Sequence, residues 1–357
     1  MAETYSKSEQ VPASEDIVDL GQGILKMQLP IAMPGLRHVN MYGLLDDRGL
    51  AIIDVGVPGP ATWKAVKKRL TDAGFKVTDV HTVIVTHSHP DHFGCAGRLA
   101  NEANAELITH NNFHLFWNQG EARCNHGDTD MAHDDSLPEV NPFMAPSPWG
   151  GEQMRRPPAP LHRRLMFRLM RSGLLGSYKV PEPARRVRNG DVIRLAGRDM
   201  FAMHTPGHTL DHLCIHDPEG GFVFTGDHLL PHITPYISGL AGGTNPLLDY
   251  FASLERTAEL ADVKQALPAH GVVIDDVPGR AQEIIEHHHT RFERLRKGSA
   301  ELGKGATVRE LSTFLFRPEK LGAMADGEAY AHLEFLRLAD RADARREKGK
   351  LLYEVHS

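Results

Sequence analysis

The chain has 357 residues, 41% hydrophobic and 24% charged, with a formal net charge of −6, 22 histidines and 3 cysteines. The length accommodates one large α/β domain with an appendage, and the balanced composition excludes a disordered or fibrous chain. The negative charge argues against a nucleic-acid binder that works through bulk electrostatics, and Cys95, Cys124 and Cys214 lack the paired spacing of a disulfide framework or thiolate cluster. The polar stretch Met1 to Asp16 has no apolar core of the kind a secretory signal needs, and no apolar run of about 18 residues occurs. A cytoplasmic protein without a transmembrane segment is therefore expected.

Residues 1–16 read as a flexible tail and residues 17–300 as the main domain. Strands are expected at Ile24 to Leu29, Asn40 to Leu45 and Leu50 to Asp54, followed by a helix from Ala61 to Ala73 that places Trp63, Val66 and Leu70 on one face. The run Thr82 to Val85 suits a buried strand and ends abruptly in Thr86-His87-Ser88-His89-Pro90-Asp91-His92. A helix from Phe93 to Glu102 and a strand from Glu106 to Thr109 complete a strand-helix-strand unit.

Residues 110–183 break the periodicity amid recurring prolines and read as an insertion, with helix-like pieces at Phe113 to Glu121 and Leu161 to Leu175. Strands resume at Val192 to Leu195, Met200 to Thr205, His212 to His216, Gly221 to Thr225 and Val263 to Leu267. Helices are expected at Pro246 to Ala261 and Val277 to Lys297. Residues 305–357 read as a small separate unit: a capping box at Thr307-Val308-Arg309-Glu310, a helix from Asp326 to Ala344 and a strand from Leu351 to Val355.

The chemistry concentrates after Val85. His87, His89, Asp91 and His92 form an H-x-H-x-D-H pattern, and a chance cluster of four such residues in six positions at a strand end is disfavoured. Alternate residues of an extended segment point the same way, so His87 and His89 can converge on one ion while the turn at Pro90 directs Asp91 and His92 to a second. Imidazoles and carboxylates suit Zn²⁺ or another borderline divalent ion.

This pattern resembles the metallo-β-lactamase-fold hydrolases, the glyoxalase II-like branch among them, over about residues 20–275. Ile52-Ile53-Asp54-Val55-Gly56, Thr205-Pro206-Gly207-His208-Thr209, Phe224-Thr225-Gly226-Asp227 and Pro268-Ala269-His270-Gly271 follow in the family's order. The resemblance implies an αββα sandwich of the α/β class, here with a helical lid at 110–183 and a winged-helix-like C-terminal appendage. It also implies that His87, His89 and His208 bind one metal, that Asp91, His92 and His270 bind another, and that Asp227 bridges them. Asp54 would orient ligands by hydrogen bonds. Two Zn²⁺ ions are implied, with Mn²⁺ or Fe²⁺ as alternatives, together with a shared hydroxide as nucleophile and Asp91 as catalytic acid–base.

Oxygen-reducing di-iron members carry Glu where His89 stands, and classical β-lactamases carry Cys or Ser where Asp227 stands, which leaves hydrolysis of bonds other than the penicillin amide. A thioester of the acyl-CoA kind, a lactone or a simple ester is favoured. A metal-dependent nuclease or phosphodiesterase is the alternative, and a non-catalytic binding protein is the third reading. A small-molecule substrate is expected rather than nucleic acid, and a homodimer is allowed for.

His228, His232 and Tyr236 are read as rim residues that donate to a substrate oxygen, or equally as residues that fix their loop. His212 is read as packing behind the ligands, and His287 to His289 as solvated on a helix. Arg163, Arg164, Arg168 and Arg171 lie among Leu161, Leu165, Met166, Leu169 and Met170. A lid helix is favoured there over a membrane or anion contact or a solvated face, with Phe113, Phe116 and Trp117 lining an apolar pocket. The C-terminal unit can serve RNA or pack on the main domain, and its Glu310, Glu319, Asp326, Glu328 and Glu334 disfavour phosphate.

Overall fold

The computed structural model describes residues 7–33, 35–114, 147–150, 183–240 and 244–356. Phe116, Trp117, Cys124, the arginine-bearing stretch from Leu161 to Leu175 and all of the 110–183 insertion except its ends and residues 147–150 lie outside the described residues. No described helix is long and apolar enough to cross a membrane.

The first sheet runs in chain order: β1 (Val18–Asp19), β2 (Ile24–Met33), β3 (Leu36–Asp46), β4 (Gly49–Ile53), β5 (Val80–Ile84), β6 (Glu106–His110) and β7 (Arg185–Val187). β1 to β4 pair antiparallel and β4 to β7 parallel. The parallel steps need crossovers, supplied by α1 (Pro60–Asp72) and by α2 (Pro90–Phe93) with α3 (Ala96–Ala103). The second sheet contains β8 (Val192–Leu195), β9 (Arg198–His204), β10 (Leu213–Asp217), β11 (Phe222–Gly226) and β12 (Gln265–Pro268), ordered β12-β11-β10-β9-β8. α4 (Pro246–Ala258) crosses from β11 to its parallel neighbour β12, and α5 (Val277–Leu302) follows.

Side-chain alternation explains the layers. On β4, Ala51 and Ile53 join the inter-sheet core with Ile84, Ile215 and Phe224, while Leu50 and Ile52 face α1 and α3 with Trp63, Val66 and Leu99. On β11, Phe222 and Phe224 face the first sheet and Val223 faces α4 and α5. Strands covered on both faces read as continuous apolar runs, and the outcome is the αββα sandwich.

Beyond α5, α6 (Val308–Leu315), α7 (Ala323–Leu338) and a sheet of β13 (Ala306–Thr307), β15 (Lys350–Val355) and β14 (Ala342–Glu347) complete the chain. Leu311, Leu333, Leu336 and Tyr353 share one hydrophobic cluster with Leu254, Ile284, Phe292 and Leu295 of α4 and α5. The C-terminal unit therefore packs on the helical layer. Residues 147–150 also reach it: Leu351 donates to the Trp149 carbonyl at 2.8 Å, and the Trp149 ring lies 4.9 Å from that of Tyr330.

Several local expectations change. The helix expected through Ala344 ends at Leu338, and Ala342–Glu347 is a strand. Lys348 and Gly349 take φ of 47° and 79°, the geometry of a tight hairpin, and pairing with β15 outweighs the helix propensity of the Arg–Glu stretch. The helix expected from Phe93 divides into α2 and α3. The stretch expected as a tail lies against the body from Ser8 onward, because buried Glu9 accepts the backbone N–H groups of His232 and Ile233 at 2.8 and 3.1 Å. His288, expected to be solvated, is buried and bonds to His332 at 2.9 Å, since α7 covers that face of α5.

A buried ion pair closes one end of the second sheet. Arg198 Nη2 lies 2.6 Å from Asp217 Oδ2, Nε lies 2.9 Å from Oδ1, and Gly220 N–H donates to Oδ1 at 2.9 Å. Asp217→Ala strands a buried guanidinium and should cost about 3–5 kcal/mol in urea denaturation, whereas joint Arg198→Met and Asp217→Leu should cost clearly less.

Candidate metal centre

The sequence motifs meet where strands of both sheets end. Asp54 follows β4, Thr86 to His92 follow β5, His208 follows β9, Asp227 follows β11 and His270 follows β12. Backbone bonds tie these ends together: Leu213 N–H donates to Thr86 O at 2.8 Å, Ala269 N–H to Gly226 O at 2.9 Å and Val55 N–H to His92 O at 2.8 Å.

Asp54 sits beneath the cluster. Its backbone is left-handed with φ 56°, a strained state for a residue with a side chain. Its carboxylate accepts Thr86 N–H and Thr86 Oγ1–H, each at 2.9 Å, and His92 Nδ1–H at 2.7 Å. The Thr86 hydroxyl thus commits its hydrogen to Asp54 and accepts from His87 Nδ1–H at 3.1 Å. His208 Nδ1–H donates to the Tyr236 carbonyl at 2.8 Å, and His270 Nδ1–H to the His38 carbonyl at 2.6 Å. Four imidazoles therefore have Nδ1–H committed outward, leaving Nε2 as the atom that takes a proton or a cation.

The free atoms converge in two groups, His87, His89, His208 and Asp227, and Asp91, His92 and His270, with donor atoms within 4.8 Å of one another in each. His89 Nδ1 is 3.0 Å from both His87 Nε2 and His208 Nε2. Asp227 stands between the groups, with Oδ2 3.6 Å from His208 Nε2 and Oδ1 3.3 Å from His270 Nε2. Asp91 Oδ2 lies 3.5 Å from His270 Nε2 and 3.7 Å from His92 Nε2.

These residues fit divalent metal ions. His92 Nε2, His270 Nε2 and Asp227 Oδ1 are buried with no hydrogen-bond partner among the described residues, and such atoms are costly unless something binds them. A proton on His89 Nδ1 satisfies one contact of that trio, whereas a cation satisfies all three nitrogens. The electrostatics agree. Burial holds His87 well below the usual imidazole range, His89 down at about 3 and His208 below its ordinary value, so all three are neutral donors. Burial also acts to lower His92 and His270, yet both are raised, His92 by Asp54, Asp91 and Asp227 and His270 by Asp227 and Asp91. Burial acts to raise Asp91 and Asp227, but His92 and His270 hold both below the usual carboxylate range. The cavity stabilises positive charge.

His212 stands behind Asp227. Its Nδ1–H donates to Thr205 Oγ1 at 2.8 Å, so Nε2 accepts Asp227 N–H at 3.1 Å and fixes the backbone of that carboxylate. The loop carrying His208 passes so close to α4 that a Cβ on Gly207, whose φ is 133°, would lie 2.4 Å from Tyr250 Cβ. Only glycine fits there.

The expected rim residues part company. His228 is fully buried and faces α4, with Nε2 3.0 Å from Thr257 Oγ1 and its ring edge-on to Tyr250 at 5.5 Å, so it cannot line the rim. His232 is exposed and bonds to Ser8 Oγ at 3.0 Å. Tyr236 serves the site through its carbonyl. Phe113 is a core residue, 5% exposed and edge-on to Phe93 at 6.3 Å. Trp117 lies outside the described residues.

Sequence reasoning missed the residues that hold the ligands' loops. Asn40 Nδ2 donates to the Pro268 and Gly271 carbonyls at 2.8 and 3.0 Å, and the Tyr42 hydroxyl donates to Pro268 O at 2.8 Å. His38 Nδ1–H donates to Val11 O at 2.8 Å, which leaves Nε2 to accept Gly271 N–H at 3.0 Å. The one available signal was a polar Asn40 inside an apolar strand.

With fold and site together, the chain belongs to the metallo-beta-lactamase superfamily, whose family model matches residues 34–273. Members of that superfamily are metal-dependent hydrolases. The chain is 36% identical over 107 residues to "Lactamase-like protein aptB" of Emericella nidulans, covering 30% of this chain and 32% of that protein. It is 32% identical over 138 residues to "Lactamase-like protein vrtG" of Penicillium aethiopicum, covering 37% and 42%. The match thus spans less than half the length of these curated relatives. Among solved structures, a metallo-beta-lactamase family protein from Thermus thermophilus superposes with a TM-score of 0.70 at 26% identity, covering 95% of this chain and 100% of that one. A beta-lactamase domain protein from Burkholderia ambifaria gives a TM-score of 0.70 at 24% identity over 97% and 96%, a likeness of fold.

The raised values of His92 and His270 set a pH dependence. Metal must compete with protons for imidazoles whose proton affinity is raised, so metal affinity should fall as pH falls and rise as pH climbs through their values. Calorimetric titration with Zn²⁺ at pH 7 in buffers of different protonation enthalpy should read the release of about one to two protons. An apparent enthalpy independent of buffer would contradict the arrangement.

Proposed function

We propose that the protein is a dinuclear metal hydrolase that cleaves a carbonyl ester, thioester or lactone. The observation that carries this reading is Asp227, a buried carboxylate set between the two donor groups, with Oδ2 3.6 Å from His208 Nε2 and 3.7 Å from His92 Nε2 and Oδ1 3.3 Å from His270 Nε2. In this reading His87, His89 and His208 hold one ion, Asp91, His92 and His270 hold the second, and Asp227 joins them. Two divalent ions, zinc or in its place Mn²⁺ or Fe²⁺, supply Lewis acidity and bring the ionisation of water into the neutral range.

The chain's own residues do the rest. Asp227 offsets positive charge and is held in place by His212. Asp54 and the Tyr236 and His38 carbonyls keep three imidazoles in the tautomer that presents Nε2. Asp91 is kept ionised by His92 and His270 beside it, so its Oδ2 can take a proton from the nucleophile and pass it to the leaving oxygen or sulfur. Carbonyl substrates are favoured over nucleic-acid phosphodiesters because the chain carries a net charge of −6, which opposes binding of a long phosphate backbone.

Protein reconstituted with Zn²⁺ should hold about two ions per chain and hydrolyse acyl thioesters, esters or lactones in preference to bis(p-nitrophenyl) phosphate. Asp227→Asn keeps the shape but removes the charge between the ions, and should lower both metal content and turnover, the latter by more than about 100-fold. Turnover of the phosphodiester alone would move the protein to the nuclease class, and an unaltered Asp227→Asn enzyme would remove the bridge.

A further inference from the structure

The C-terminal unit touches the metal centre through a short relay. His208 donates Nδ1–H to the Tyr236 carbonyl at 2.8 Å, so the position of that carbonyl sets the direction of the imidazole. The chain from Tyr236 to Leu240 lies against α7. Gly239 N–H donates to the Gly327 carbonyl of α7 at 3.1 Å. A Cβ on Gly327 would sit 2.5 Å from Tyr236 Oη, and one on Gly239 would sit 2.5 Å from Tyr330 Cδ1 and 3.1 Å from Ala331 N. Loop and helix thus meet through one glycine from each side, and a methyl group at either position would have to displace a tyrosine ring.

α7 is itself held firmly. Glu328 pairs with Arg291 of α5 at 2.5 Å, Asp326 accepts Ser312 Oγ–H of α6 at 2.9 Å, and His332 bonds to His288 of α5 at 2.9 Å. Buried polar links of this kind define one arrangement of the elements they join. Gly327 lies inside a helix of 16 residues, where glycine costs about 1 kcal/mol relative to alanine. A helix that needed nothing from this position would be better served by alanine.

We infer that α7 sets the position of His208 and that Gly327 is the positioning residue through which it acts, by admitting Tyr236 close against the helix. This rests on the metal-binding role proposed for His208. The C-terminal unit is then part of the scaffold of the metal centre. A shift of Tyr236 away from the helix carries its carbonyl with it and turns the imidazole out of the trio.

The test is metal affinity, read for Co²⁺ by competition with a chromophoric chelator, beside thermal unfolding of the metal-free protein. Gly327→Ala should bind one of the two ions at least about tenfold more weakly, the scale seen when a ligand's supporting partner is lost. The metal-free protein should melt close to the wild-type temperature, the helix gain of Gly→Ala offsetting the displacement of the Tyr236 ring. Adding Tyr236→Phe should restore affinity, because without Oη the nearest ring atom, Cζ, lies 3.8 Å from the new Cβ. Should Gly327→Ala fail to fold, Gly239→Ala presses Tyr330 from the other side and should show the same loss. Wild-type affinity for both ions in Gly327→Ala, or in Gly239→Ala if that variant alone folds, overturns the inference and leaves the metal site standing. A loss in Gly327→Ala that Tyr236→Phe does not relieve overturns it as well. A wild-type chain that takes up no Co²⁺ overturns the metal site and the inference together.

Discussion

Three carboxylates, Asp54, Asp91 and Asp227, lie buried where the strands of two sheets end, and buried negative charge is tolerated only when it is matched. That requirement orders the rest of the centre. Asp54 is matched by Thr86 and His92, while Asp91 and Asp227 face His92 and His270, whose affinity for protons rises in response. A proton meets the requirement in part, whereas a dication meets it fully and also occupies the ring nitrogens that protons leave without partners. The site's chemistry follows from the charge it must neutralise.

The fold makes such a cluster tolerable by separating two tasks. The strands are covered on both faces, so their interiors are filled by Val, Ile, Leu and Phe and supply rigidity alone. The functional groups stand one to eight residues past the strand ends, on loops and on the short α2, anchored by bonds such as Leu213 N–H to Thr86 O. Donors separated by more than 100 residues, such as His89 and His208, thereby come within 3.0 Å.

Around this centre lies a ring of residues that stand outside the two donor groups and decide how those groups are held. Asn40, Tyr42 and His38 hold the loop of His270, His212 holds Asp227, and Glu9 holds the loop that follows Asp227. Each acts largely on a backbone group and so fixes a side chain of the cluster without entering it. The helical layer takes part as well: α4 presses on Gly207, and α7 lies against the chain that accepts from His208.

Much was legible in the sequence, for physical reasons. The alternating and continuous apolar runs set strand positions because a doubly covered strand admits little else, and the H-x-H-x-D-H segment was readable because its geometry is local. Motif order along the chain conveyed the αββα sandwich. What the sequence alone could not convey was which side of a loop each polar residue would face. His228 and His212 are both histidines near motif residues, yet His228 turns into α4, drawn by Thr257 and Tyr250 some way along the chain, while His212, read from the sequence as packing behind the ligands, supports Asp227 from a turn it shares with Thr205. The burial of His288 and the end of α7 at Leu338 were likewise decided elsewhere, by cover from a neighbouring helix and by pairing with β15. Local propensity and spacing are properties of neighbouring residues. Facing, burial and partnership belong to the packed chain, where hydrogen bonds between distant segments outweigh local preference.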